Sequence, residues 1–122
     1  MTKERISLGK FGEDLARERL KDLGYRILKK NYRCSLGEVD LVARDGDVLV
    51  FVEIKTRKSE SLGQIKEVVN RRKQAQLSKV ALAYLKSNNL WGSKARFDVV
   101  AIRLIGGKKE IEIIKNAFEL AC

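Results

Sequence analysis

The stretch "GEVDLVARDGDVLVFVEIKTR", residues 37–57, restricts the fold more than any other: two apolar, β-branched runs, 38–44 and 47–57, flank the dipeptide Asp45-Gly46. Such runs read as strands, and Asp-Gly suits the left-handed conformations of a two-residue type I′ turn. That turn sets Arg44 opposite Asp47, Asp40 opposite Phe51 and Glu38 opposite Glu53. Alternation then puts Glu38, Asp40, Phe51, Glu53, Lys55 and Arg57 on one side of the ribbon, with Val39, Leu41, Val50, Val52 and Ile54 on the other. Asp40 and Glu53 become diagonal neighbours on one face, with Cα atoms roughly 7–8 Å apart. Carboxylates that converge in this way can share one divalent cation. Mg²⁺ suits the place, because it takes oxygen ligands and keeps waters and a phosphate oxygen beside one or two carboxylates. Lys55, two residues past Glu53 on the same face, is placed to meet an attacking water and a scissile phosphate. The same residues also fit the wet face of an ordinary antiparallel hairpin, and spacing alone leaves both readings open.

Around this ribbon the chain reads as alternating elements. Leu8, Phe11, Leu15, Ala16, Leu20 and Leu23 recur at helical spacing, with Ser7 as N-cap and Gly24 as the stop. Residues 25–33 form a strand and "CSLG" a turn; 59–65 form a polar loop. Residues 66–87 form a long helix with Val69, Leu77, Val80, Ala81, Tyr84 and Leu85 largely on one side, ended by "NNLWGSK". Strands follow over 96–105 and 110–118, joined by Gly106-Gly107. The order α-β-β-β-α-β-β, with helices between strands, predicts an α/β domain spanning residues 1–122: a central mixed sheet, at least one crossover, and helices covering it.

Composition narrows the chemistry. Twenty-six Lys+Arg against 16 Asp+Glu give a net charge of +10, which points to a polyanion, with nucleic acid ahead of an anionic membrane. The chain has no histidine and only Cys34 and Cys122, so Ser-His-Asp and Cys-His relays are excluded and a structural zinc site has too few ligands. Cys34 reads as a small residue at a strand end. The N-terminal segment lacks an apolar signal core, and no apolar run approaches the ~20 residues needed to cross a bilayer. A cytoplasmic protein with free thiols is the expectation.

Several separated blocks, in order, resemble the YraN-like family of predicted endonucleases within the PD-(D/E)xK nuclease superfamily, distantly related to archaeal Holliday junction resolvases. They are "GKFGEDLARERLKDLGYRILKKNYR", "GEVDLVARDGDVLVFVEIKTR", the helix with "RRKQAQLSKVALAYL", and "RFDVVAI". The likeness implies a restriction-endonuclease-like fold and a Mg²⁺-dependent (or Mn²⁺-dependent) DNA endonuclease of repair or recombination, selecting by DNA structure. It gives Asp40 the role of the motif aspartate, Glu53 that of the second metal-binding acid and Lys55 that of the catalytic lysine. The backbone carbonyl of Ile54 would be a further metal ligand, and Glu13, in "FGED", a further acid from the first helix. Val39 stands where the motif name has proline, a backbone residue that supplies no ligand. Resolvase-like relatives often work as dimers, so a homodimer is one expectation, although no interface patch can be assigned.

Other readings of particular residues stand beside these. Glu13 also fits as a surface partner of Arg17 at i+4, and Glu38 either as an acid supporting the metal ligands from behind or as a solvated one. Arg71, Arg72, Lys73 and Gln74 fit either phosphate contacts or a solvated helix face. Trp91 fits either a base-stacking platform or a cover for the end of the core. A non-cleaving nucleic-acid-binding module on the same scaffold, and a scaffold meeting an acidic protein, are the competing functions.

Overall fold

Strands that are apolar on both faces need cover on both sides, and the fold supplies it. The computed structural model describes residues 3–58 and 69–119. Its elements are α1 (Lys3–Asp22), β1 (Arg26–Cys34), β2 (Gly37–Asp45), β3 (Val48–Arg57), α2 (Arg71–Ser87), β4 (Ala95–Ile105) and β5 (Lys108–Phe118). The expected order is present, and the five strands form one mixed sheet in the order β1-β2-β3-β4-β5. All neighbours are antiparallel except β3 and β4. A parallel pair cannot be closed by a tight turn, and the connection between these two carries α2.

Each helix buries one apolar stripe. On one face Leu77, Val80, Ala81 and Tyr84 of α2 pack on Val42, Leu49, Phe51 and Phe97. On the other, Ala16 and Leu20 of α1 pack on Leu41, Val50, Val52, Val100 and Ile102. Each fully buried aliphatic side chain contributes roughly 1.5–3 kcal/mol, so neither layer is dispensable. The expected stripe of α1 is narrower than its spacing suggests: Phe11 and Leu23 are exposed, and the Lys109 ammonium lies 5.5 Å from the centroid of the Phe11 ring.

Two helix starts differ from expectation. α1 begins at Lys3, so Ser7 lies inside the helix and is not its cap. α2 begins at Arg71, because Asn70 is extended (φ −76°, ψ 176°) and its side chain accepts from the Lys73 N–H at 3.0 Å. Val69 therefore precedes the helix, although it is buried. The polar loop expected over 59–65 lies outside the described residues, as do Cys122 and positions 66–68. Cys34 ends β1, half-buried and packed at the margin of the α2-side core.

The central hairpin turns one residue later than Asp45-Gly46. Asp45 pairs with Val48 and Arg44 with Leu49, leaving Gly46-Asp47 at the centre with Gly46 at φ +63°. Glycine at the first central position is what a type II′ turn requires. The strands are thus slid by two residues from the expected register: Phe51 faces Val42 rather than Asp40, and the ladder ends at Leu41–Val52.

Asp98 of β4 is completely buried and completely bonded. It accepts from the Tyr25 hydroxyl at 2.8 Å, Arg96 Nε at 2.9 Å and the Asn116 N–H at 3.0 Å. Arg96 also reaches Asp45 at 2.7 Å, tying the hairpin turn to β4. Asn116 adopts φ +52° where the β4–β5 register shifts, which frees its N–H for the carboxylate.

Gly12 sets how closely α1 approaches β3. A Cβ there would lie 1.9 Å from Thr56 Oγ1 and 3.0 Å from Thr56 Cβ, and a β-branched neighbour cannot swing aside freely. Gly12→Ala is expected to destabilise the wild type. In a Thr56→Gly background, which removes both Oγ1 and Cβ, the same change should instead stabilise by up to about 1 kcal/mol, the helix propensity it gains. A denaturant double-mutant cycle reads this sign reversal, and additive effects would contradict the close contact.

Candidate metal centre

The site forms where β2 and β3 part. Past Leu41–Val52 no further β2–β3 pair forms, and the Ile54 N–H, instead of joining a ladder, donates to Asp40 Oδ2 at 2.7 Å. The β1–β2 ribbon also bends at this level. Asn31, in the left-handed region at φ +50°, lies between the pairs Lys30–Leu41 and Tyr32–Val39. Alternation breaks there: Val39 joins the α2-side core with Phe51, whereas Leu41 joins the α1-side core. The expectation that Val39 and Leu41 share a face is therefore corrected. Asp40 lies between them in the gap, within electrostatic reach of both layers.

From the α2 side comes Glu53, next along β3's face from Phe51, 5% exposed. Its carboxyl lies within hydrogen-bonding reach of Asp40. The two acids meet, as expected, but through the parted strands rather than as diagonal neighbours in a ladder. From the α1 side comes Glu13, half-buried, hydrogen-bonded to Asn31 and close enough to Asp40 to feel its charge. The alternative pairing with Arg17 is present only in part: Arg17 bonds Asp14 at 2.6 Å, while its charge acts on Glu13 against the raising effects of burial and Asp40. Glu38 does not face Glu53. It pairs with Arg33 across β1–β2 at 2.8 Å on the exposed surface, a contact worth about 0–1 kcal/mol.

The electrostatics are those of acids only partly compensated by the cations around them. Burial, and then the hydrogen bond and charge of Glu53, hold the Asp40 carboxyl well above the usual carboxylate range, against the opposing Ile54 N–H and the Lys55 ammonium. Burial and then the charge of Asp40 raise Glu13 too. Glu53 Oε2 is buried with no hydrogen-bond partner. The Lys73 ammonium of α2 stands 3.4 Å from it, an ion-pair contact without hydrogen-bond geometry. A buried, unbonded carboxylate oxygen costs about 1–3 kcal/mol or more, which a bound cation would recover.

The residues present fit a hard divalent ion. Asp40 and Glu53 supply two carboxylates. The Ile54 carbonyl leaves β3 on the same edge as the N–H that Asp40 holds, as strand geometry dictates. Among the described residues no three acidic or thiol side chains gather closely enough to cage an ion unaided, so water or substrate oxygens would complete its shell, as they commonly do for Mg²⁺. Lys55, half-exposed, follows on Glu53's face. Arg71 and Arg72 are exposed at the first turn of α2, while the Gln74 side chain turns back to the Val69 carbonyl at 3.0 Å. Trp91 is 59% exposed, so it does not cover the core; Leu90 does. It sits near the start of β4, at the opposite end of the sheet from Lys55. The sequence offered no sign of Asn31 as a partner for Glu13, nor of the contact from Lys73 to Glu53.

A mixed five-stranded α/β sheet whose parted β2–β3 ladder gathers one buried and two half-buried acids defines the class of protein. The chain belongs to the uncharacterised protein family UPF0102, matching it over residues 12–102. A UPF0102 protein of Syntrophus aciditrophicus is 48% identical over 97% of this chain and 93% of its own length. One from Geobacter sulfurreducens is 51% identical over 93% and 90%, and one from Moorella thermoacetica 46% identical over 97% and 100%.

The raised Asp40 carboxyl carries a pH signature. The folded protein keeps that proton to higher pH than the unfolded chain, so this group erodes stability as pH rises from the ordinary carboxylate range through its raised folded value. Asp40→Asn keeps an acceptor for the Ile54 N–H but cannot ionise. In chelator, it is expected to be more stable than wild type at about pH 9, with the gap closing towards about pH 4. Urea midpoints across that range check this, and a pH-independent difference would contradict it.

Proposed function

We propose that the chain is a Mg²⁺-dependent endonuclease, on a restriction-endonuclease-like scaffold, that hydrolyses phosphodiester bonds in DNA and selects its substrate by shape. The observation that carries this reading is the half-buried Asp40 against the buried Glu53, one of whose oxygens has no hydrogen bond. The +10 charge supports a polyanionic substrate, because acids are otherwise unwelcome where phosphates bind. Asp40, Glu53 and the Ile54 carbonyl are the residues that would hold the ion. An ion held there would supply Lewis-acid polarisation of the phosphate and make a water molecule more acidic. Lys55 orients the attacking oxygen and offsets charge growing on the phosphate. Glu13, steadied by Asn31, is the third acid at the rim, and Arg71 and Arg72 meet the DNA backbone.

Cleavage of labelled branched, flapped, nicked and single-stranded DNA with Mg²⁺ or Mn²⁺ tests the proposal. Asp40→Ala, Glu53→Ala and Lys55→Ala are each expected to lower the rate at least about a hundredfold while the fold is retained. Normal cleavage by Lys55→Ala would refute the mechanism. Salt-sensitive DNA binding with no products from any substrate would instead favour a non-cleaving module.

A further inference from the structure

Lys73 stands between two environments. Its ammonium lies 3.4 Å from Glu53 Oε2, against the buried acids. The same residue lines an open cleft of about 620 Å³ between the β1–β2 turn and α2, with Leu36, Arg72, Gln76 and Lys79. Three of the lining side chains are cationic and none is acidic. The first turn of α2 holds Arg71, Arg72 and Lys73 and no acid, although cations are disfavoured at the positive end of a helix dipole. That arrangement is costly unless anions meet it. Glu53 is one such anion, and the cleft is open to others.

We propose that Lys73 is a tethered cation: it neutralises the carboxylate pair until a divalent ion displaces it, and its release into the cleft then helps to seize a phosphodiester backbone. The proposal rests on the metal-dependent reading above and adds a coupling to it. An ion and an ammonium compete for the same Glu53 oxygen, because both are compensating one buried negative charge. Once the ion is bound, the Lys73 side chain, 30% exposed, redirects its ammonium by a change of rotamer, while Leu77, Val80 and Ala81 keep the helix anchored in the core. Metal loading and DNA capture would then favour each other by the same factor, as thermodynamic reciprocity requires.

Two binding measurements on the whole chain, neither requiring cleavage, test this. The first is Mn²⁺ affinity without DNA, followed by the EPR signal of the free ion. The second is affinity for a labelled branched DNA in chelator and in Ca²⁺. Lys73→Met keeps the apolar stem and removes the charge. It is expected to bind Mn²⁺ about five-fold or more tightly than wild type and to show a smaller Ca²⁺-dependent gain in DNA affinity. Arg72→Met, which lines the cleft without touching the acids, should weaken DNA binding in both conditions and leave Mn²⁺ affinity within about two-fold. Unchanged or weaker Mn²⁺ binding by Lys73→Met, or an undiminished Ca²⁺ effect, would overturn the coupling while leaving the nuclease reading intact. If wild type itself bound no Mn²⁺, both would fall together.

Discussion

A single backbone hydrogen bond organises the site. By accepting the Ile54 N–H, the Asp40 carboxylate satisfies a donor that the β2–β3 ladder has abandoned. The strands can therefore separate without leaving that donor bare, and separation is what lets acids from opposite faces of the sheet approach one another. A regular ladder keeps its two faces apart by the thickness of the backbone. Here Glu13 from the α1 layer and Glu53 from the β3 face both come within reach of Asp40.

Two buried acids on neighbouring strands show that this arrangement is selective. Asp98 is surrounded by Tyr25, Arg96 and the Asn116 N–H, so its charge is spent on holding β1, the hairpin turn and β5 together. Glu53, beside Val99 on β4 and therefore one step along the same strand pair, has one oxygen with no hydrogen bond and a single ammonium in ion-pair contact at 3.4 Å. The fold evidently can satisfy a buried carboxylate fully. Where it does not, the deficit is local and aimed at one place.

Much of this was legible in the sequence, and the failures have definite causes. Element order and the two faces of β3 follow from alternation, which the apolar residues keep strictly. The hairpin register is not legible in the sequence, because sliding the strands by two residues leaves every side chain on its original face. The hydrophobic pattern is blind to that slip, and Gly46 fits either a type I′ or a type II′ turn. The slip nonetheless decided whether Asp40 lay level with Phe51 or with Glu53. The start of α2 is masked in the sequence because the buried Val69 extends the apolar rhythm beyond the cap at Asn70. The Asp40, Glu53 and Lys55 constellation could be named from residue types, yet the approach of Glu13 depends on the bend at Asn31, and that of Lys73 on how α2 lies across the sheet. Neither is written in any short stretch of sequence.

The lone parallel pairing has a consequence for how the molecule assembles. β1, β2 and β3 are consecutive hairpin partners, and β4 and β5 form another hairpin, so each group closes over short stretches of chain. Leu49, by contrast, meets Ala95, 46 positions later, and such distant closure is entropically slow. The acids Asp40 and Glu53 belong to the locally paired half, whereas the ammonium that answers Glu53 belongs to the crossover helix. The charge balance of the site therefore depends on the long-range β3–β4 closure and on neither hairpin alone: whatever loosens that seam also unbalances the acids.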